Sequence, residues 1–228
     1  MQIVRQQIAH AAKMAGRPLD KIQLLAVSKT VDAKTVLEAV EAGQYAFGEN
    51  YLQEALDKMA KVRQFSPELK LEWHFIGPIQ RNKTRLIAEN FSWVHSVDKL
   101  MIAERLSNQR PDNLPSLNIC LQINISKEQT KSGVPLHEAA ELAQQIAILP
   151  KLRLRGLMTI PAAGEELEQQ RIPYHQINEL QVQLNQQGFA LDTLSMGMSA
   201  DLDAAILEGS TLIRVGTAIF GKRARAHV

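Results

Sequence analysis

The run Leu24-Leu25-Ala26-Val27-Ser28-Lys29-Thr30, followed over 32–42 by a helical pattern, decides the fold. A β-rich apolar segment ends in polar residues and gives way to an amphipathic stretch, as a strand does when it feeds a crossover helix. The same switch recurs along the chain. Strands are expected at 22–27, 45–47, 71–76, 93–96, 117–125, 152–158, 193–196 and 212–220, with helical composition at 32–42, 52–64, 83–89, 99–109, 136–149, 169–187 and 201–207. Regular alternation of this kind means parallel strands joined by crossover helices. Eight units of about 28 residues each fit a compact (β/α)8 TIM barrel. No helix is expected after the last strand. The amphipathic stretch 2–15, with Ile8, Ala12 and Ala15 on one stripe, is expected to take its place in the ring. A doubly wound open sheet ranks second, because eight strands favour closure and no Gly-x-Gly-x-x-Gly turn follows the first strand. No low-complexity linker divides the chain, so residues 1–228 are expected to form a single domain, with 161–168 as its longest loop.

Composition excludes several classes. The chain of 228 residues is 45% hydrophobic and 22% charged with a formal net charge of +2, an ordinary globular balance that leaves no basic face for nucleic acid. The densest basic cluster, Lys222, Arg223 and Arg225, reads as a solvated tail, and Lys127 and Lys131 as a solvated loop. No apolar run approaches the ~20 residues that span a bilayer. A single cysteine, Cys120, and no leader-like start suggest a reducing, cytoplasmic compartment. The scattered histidines offer no metal-ligand spacing.

In a barrel of this kind the reactive groups gather where strands end. By period two, Leu25, Val27 and Lys29 share a face, so Lys29 closes an apolar column with its amine at the barrel mouth. Desolvation there disfavours an ammonium and frees an amine to attack a carbonyl; a surface lysine just past the strand is the alternative. Arg214 stands among apolar residues in Leu212-Ile213-Arg214-Val215-Gly216-Thr217, where it needs a buried anionic or polar partner. The seventh strand ends Ser195-Met196-Gly197-Met198-Ser199 before a helix near Asp201. Together with Gly216-Thr217 this makes a two-loop cradle of the kind that holds phosphate after the last two strands of a barrel. A nucleophilic lysine, an inward arginine and a phosphate cradle suit pyridoxal 5'-phosphate. Lys29 would form the Schiff base, Arg214 would face the pyridine nitrogen, and Ser195, Met198, Ser199, Gly216 and Thr217 would hold the phosphate.

These segments, with Phe47-Gly48-Glu49-Asn50-Tyr51, Trp73-His74-Phe75-Ile76-Gly77-Pro78, Gly156-Leu157-Met158-Thr159-Ile160-Pro161 and Gly197-Met198-Ser199-Ala200-Asp201, resemble the pyridoxal phosphate homeostasis protein family nearly end to end. One departure is visible, Ile79 where leucine is expected, a volume-conserving change. The resemblance implies a fold-type III barrel like the N-terminal domain of alanine racemase. It also implies the cofactor bound on Lys29, a ring near Asn50, His74 and Arg214, and a role in balancing the intracellular vitamin B6 pool and the amino-acid and keto-acid pools that depend on it. On residues alone, His74 also reads as a satisfied core histidine, and Asn50 as a helix N-cap.

Three functional readings follow. The first is a carrier that sequesters or hands over the cofactor. A racemase of the related class draws its second base from a further domain of a partner subunit, and only seven residues follow Gly221 here. Arg214 points the same way: a permanent cation at the pyridine nitrogen discourages that nitrogen's protonation and leaves a weaker electron sink. The second reading is a fold-type III enzyme such as a small amino-acid racemase. The third is a regulatory protein that signals through its bound cofactor. Acceptor enzymes or a regulatory protein are the expected partners besides the cofactor, and a monomer is the expected state.

Overall fold

The computed structural model describes residues 1–126, 132–162 and 164–221. It opens with α1 (Gln2–Met14), β1 (Gln23–Val27), α2 (Ala33–Glu41), β2 (Ala46–Glu49) and α3 (Leu52–Phe65). Then come β3 (Glu72–Phe75), α4 (Thr84–Asn90), β4 (Trp93–Val97), α5 (Leu100–Gln109) and β5 (Leu117–Asn124). The two-residue β6 (Val134–Pro135) precedes α6 (Ala139–Ala147), β7 (Leu152–Thr159) and α7 (Leu167–Gln186). The described chain ends with β8 (Thr193–Ser195), α8 (Leu202–Leu207), β9 (Leu212–Val215) and α9 (Thr217–Phe220). Every strand pairing is parallel. Neighbours run β4-β3-β2-β1-β9-β8-β7-β5, and a β4–β5 ladder closes the ring into an eight-stranded barrel, with β6 appended to the end of β5.

The two faces of each strand see different surroundings. Outward residues such as Ala26, Phe47, Trp73, Phe75, Val94 and Ile119 pack under the helices in one large apolar core. Among the described residues, inward side chains make two small apolar groups, Leu25, Ala46 and Leu212 against Ile76, and Trp93 with Cys120 and Met158. Much of the remaining interior is polar, with His74, His95, Ser195 and Arg214 all buried. A buried interior of this composition is stable only if its polar groups find hydrogen-bond partners.

The expected role of the N-terminal helix holds. Arg5 on α1 donates to the carbonyl of Gly43 just past α2, while Arg17 donates to Ile206 and Ser210 at the end of α8. α1 therefore lies between the helices that follow the first and seventh barrel strands. The expected strand over 212–220 is corrected. β9 stops at Val215, because its ladder with β1 ends at the pair Ala26 and Val215. Beyond it, the amides of Ile219 and Phe220 turn back to Gly216 O at 2.9 and 3.0 Å, forming the one-turn helix α9. The basic residues Lys127, Lys131, Lys222, Arg223 and Arg225 fall outside the described residues.

Candidate functional site

β1 delivers Lys29 to the C-terminal mouth of the barrel, where its side chain is half-buried. The turn that carries it is held from the outer side. Strand parity points Ser28 outward, and its hydroxyl donates to Glu49 Oε1 at 2.6 Å. Lys58 on α3 donates to the same carboxylate oxygen and to Ser28 O, each at 2.6 Å, and to Glu54 Oε1 at 3.0 Å. Glu54 Oε1 also accepts the amide of Thr30 at 2.6 Å. Thr30 has φ 60, a left-handed conformation costly for a β-branched residue, and that amide bond helps to hold it there. Burial pushes the Glu49 carboxyl above its ordinary value against the opposing pull of Lys58 and the Ser28 hydroxyl.

β9 delivers Arg214, which is 5% exposed and reaches across the interior. Its Nη1 donates to Ser195 Oγ at 2.7 Å and its Nη2 to Thr159 O at 2.9 Å. Ser195 Oγ also lies 2.8 Å from His95 Nδ1, and His95 Nε2 lies 2.9 Å from His74 Nδ1. Burial lowers the guanidinium's ordinary value; Tyr174, Asp201 and Cys120 oppose that.

Lys29 and Arg214 meet on a cavity of about 340 Å³. Asn50 adds an amide, Val27, Ile76, Met158 and Ile160 supply apolar wall, and Met198, Ser199, Ala200, Gly216 and Thr217 form the rim. The strand-end backbones are fitted closely around it. A Cβ on Gly77 would stand 2.2 Å from Asn50 O, so only glycine lets the end of β3 approach that residue. The turn after β8 depends on Gly197, at φ +93, and on Asp201, whose Oδ1 accepts the amide of Met198 at 2.6 Å. Tyr174 donates to Asp201 Oδ2 at 2.7 Å and fixes that carboxylate in turn. On the companion loop, the opening amides of α9 have no helical carbonyl to bond and are free for an anion.

Seven of the nine residues expected in the site therefore line one cavity: Lys29, Asn50, Met198, Ser199, Arg214, Gly216 and Thr217. His74 and Ser195 do not. Both are fully buried inside the barrel, beneath Arg214 rather than on the wall. His74 stacks on Trp93, with centroids 5.4 Å apart and planes 4° apart, as a core histidine does. The sequence reading missed Ile76, Met158 and Ile160 as wall residues, Asp201 with Tyr174, and His95 with Glu72. Strand parity offered one signal: Trp93 and His95 alternate as Glu72, His74 and Ile76 do, which puts both histidines on one face. Larger hollows exist, about 420 Å³ beside Arg5, Tyr45, Lys70 and Glu72 at the opposite mouth and about 520 Å³ between α2 and α3. Neither joins a strand-end lysine to small-residue loops.

Chemically, the cavity offers an amine for a carbonyl, a buried guanidinium for a planar acceptor and backbone amides for a phosphate. Comparison with known proteins places the chain among relatives. Residues 2–224 match the family described as alanine racemase, N-terminal domain. The pyridoxal phosphate homeostasis protein of Pseudomonas aeruginosa is 55% identical over 220 residues, covering 96% of this chain and 93% of that one. The protein of the same name from Vibrio cholerae is 52% identical over 217 residues, covering 95% and 92%. Among solved structures, PipY of Synechococcus elongatus with PLP bound superposes with a TM-score of 0.81 at 37% identity, covering 94% of this chain and all of that one. By that likeness along nearly its whole length, the chain belongs to the pyridoxal phosphate homeostasis protein family, built on the alanine racemase N-terminal domain.

Proposed function

We propose that this chain binds pyridoxal 5'-phosphate through Lys29 and keeps the cofactor's intracellular pool in balance by holding it and handing it over. The observation that carries this reading is the convergence of Lys29 and Arg214 on one cavity rimmed by Ser199, Gly216 and Thr217. The residues fit the group: an amine for its aldehyde, a buried cation for its ring edge, apolar side chains for its faces and free amides for its phosphate. When bound, the cofactor supplies an electrophilic carbonyl and an electron-withdrawing ring. Lys29 Nζ makes the covalent bond. Arg214, with two of its five N–H groups given to Ser195 and Thr159, would offer the others to the ring nitrogen while keeping its own proton. Asn50 would stand beside the ring, and Met198, Ser199, Gly216 and Thr217 would receive the phosphate. His74 and Ser195 support the ring side from below.

A guanidinium in that position favours a carrier over a catalyst, because it leaves the ring nitrogen unprotonated and the ring a weaker electron sink. The carrier is read as a cytoplasmic monomer that passes its cofactor to acceptor enzymes. Among the described residues no helix is long and apolar enough to cross a membrane. Lys29→Ala is expected to abolish the visible absorbance of the bound cofactor with the far-UV spectrum unchanged, and borohydride reduction of the parent to trap the cofactor on the peptide carrying Lys29. An unchanged visible spectrum in the variant overturns the assignment. Deuterium uptake at Cα of added amino acids at ordinary enzymatic rates overturns the carrier reading.

A further inference from the structure

We propose that Ser195, His95, His74 and Glu72 form a directional hydrogen-bond relay through the barrel interior that sets the orientation of Arg214 before the cofactor arrives. The inference rests on the cofactor site proposed above and extends it to residues that do not touch the cavity.

The direction follows from what each end can do. Arg214 only donates, and it donates to Ser195 Oγ at 2.7 Å. At the far end, on the opposite mouth of the barrel, Glu72 is a carboxylate and only accepts. Its Oε1 takes the Trp93 indole N–H at 2.6 Å, and its Oε2 lies 3.5 Å from His74 Nε2, an electrostatic contact and not a formed hydrogen bond. Between these ends each ring has one proton to place, because burial holds both imidazoles below their ordinary values and hence neutral at pH 7. His74 carries its proton on Nε2, toward Glu72, so its Nδ1 accepts. His95 must then donate from Nε2 across the 2.9 Å contact, which leaves His95 Nδ1 to accept. Ser195, already accepting from Arg214, gives its hydroxyl proton to that nitrogen at 2.8 Å. The donors thus run from Arg214 through Ser195 and His95 to His74, whose Nε2–H is turned toward the Glu72 carboxylate across the 3.5 Å contact. Reversing the Ser195–His95 link would leave the Ser195 hydroxyl proton without an acceptor in the interior, and an unmet buried donor weakens the reversed arrangement.

Ser195, His95, His74 and Glu72 are positioning residues. Ser195, His95 and His74 are fully buried, so they fix the guanidinium's rotamer, the donor for the ring is ordered in advance and binding does not have to order it. Ser195 is thereby given to the arginine rather than to the phosphate, and the phosphate is left to Ser199 and the loop after β9.

The relay is tested first in the cofactor-free protein, by long-range proton–nitrogen NMR of the histidine rings at pH 7. Both His74 and His95 are expected as neutral Nε2–H tautomers; a cationic ring, or an Nδ1–H tautomer at either one, overturns the proposal. The second test is cofactor affinity. Ser195→Ala is expected to bind added pyridoxal 5'-phosphate about tenfold more weakly while still forming the bond to Lys29, and Ser195→Thr to restore the affinity. Parental affinity in Ser195→Ala also overturns the relay. If the cofactor site itself is wrong, borohydride labels a residue other than Lys29 in the parent, an outcome independent of the ring tautomers.

Discussion

Replacing Lys58 by methionine removes the cation from the network behind Lys29 while keeping much of its buried stem. Lys58 is 4% exposed and Glu49 0%, so the carboxylate left behind has no route to water. Its Oε2 already lacks a hydrogen-bond partner, and the variant leaves Oε1 only the Ser28 hydroxyl. Orphaning one member of a buried ion pair costs about 3–5 kcal/mol. The carboxylate has one escape, which is to take a proton. From a reference value near 4.3, that costs about 1.4 kcal/mol per pH unit, hence about 3.7 kcal/mol at pH 7 and about 1 kcal/mol at pH 5. The cheaper course prevails, so Lys58→Met is expected to lose about 3–4 kcal/mol at pH 7 and only about 1–2 kcal/mol at pH 5. Urea unfolding followed by far-UV circular dichroism, variant against parent at both pH values, measures this. Glu49→Gln added to Lys58→Met should abolish the pH dependence. A loss below about 1 kcal/mol at pH 7, or the same loss at both pH values, would refute the account of the pair as a buried charge balance.

Glu72 gives a second pH signature. The close contact with His74, together with the hydrogen bonds from Trp93 and Gln23, outweighs partial burial and brings its carboxyl to about 2 from an ordinary 4.5. A depressed carboxyl contributes stability that is present above the unfolded value and lost as pH falls from there toward 2. With the side chain 41% exposed, solvent screening limits the contribution to about 1 kcal/mol. Glu72→Gln should therefore unfold with a flatter stability profile than the parent between pH 5 and pH 3, and parallel profiles would contradict this. Gly77→Ala drives a methyl into the backbone at Asn50 and should weaken cofactor binding at least tenfold through displacement of that strand end; binding at parental strength in a titration would show that the approach is not needed.

The alternation of strands and helices was legible because each element carries its own periodicity. Lys29 and Arg214 were legible for a related reason: a charged residue in an apolar run needs a purpose. What could not be read locally depends on partners distant in sequence. β9 ends at Val215, where its register with β1 stops at Ala26, although 218–220 remain apolar and strand-like. Ser195 and Ser199 flank the same glycine in one short motif, yet the turn at Gly197 sends the first inward and leaves the second on the rim. Parity turns His95 inward but gives no sign of what it meets there, since its partners His74 and Ser195 lie 21 and 100 residues away.

The ladder between β1 and β9 sets the scale of the site. Leu25 stands opposite Arg214, so Lys29 is four residues farther along β1, at most about 13 Å of strand rise. A lysine stem descending from the mouth and a guanidinium held below leave between them a space suited to one flat ring. A register slip of one residue would turn Arg214 into the outer core and break its bonds to Ser195 and Thr159 together. The outer network at Lys58 and the inner relay at Ser195 therefore act on adjacent strands of a single wall: one fixes where the amine starts, the other where the guanidinium ends. If that is so, their effects on cofactor affinity are coupled, because either displacement alone already spoils the distance that the other maintains. Combining Lys58→Met with Ser195→Ala should then weaken binding by less than the product of the separate losses, and a purely multiplicative result would mean that the two networks serve the cofactor independently.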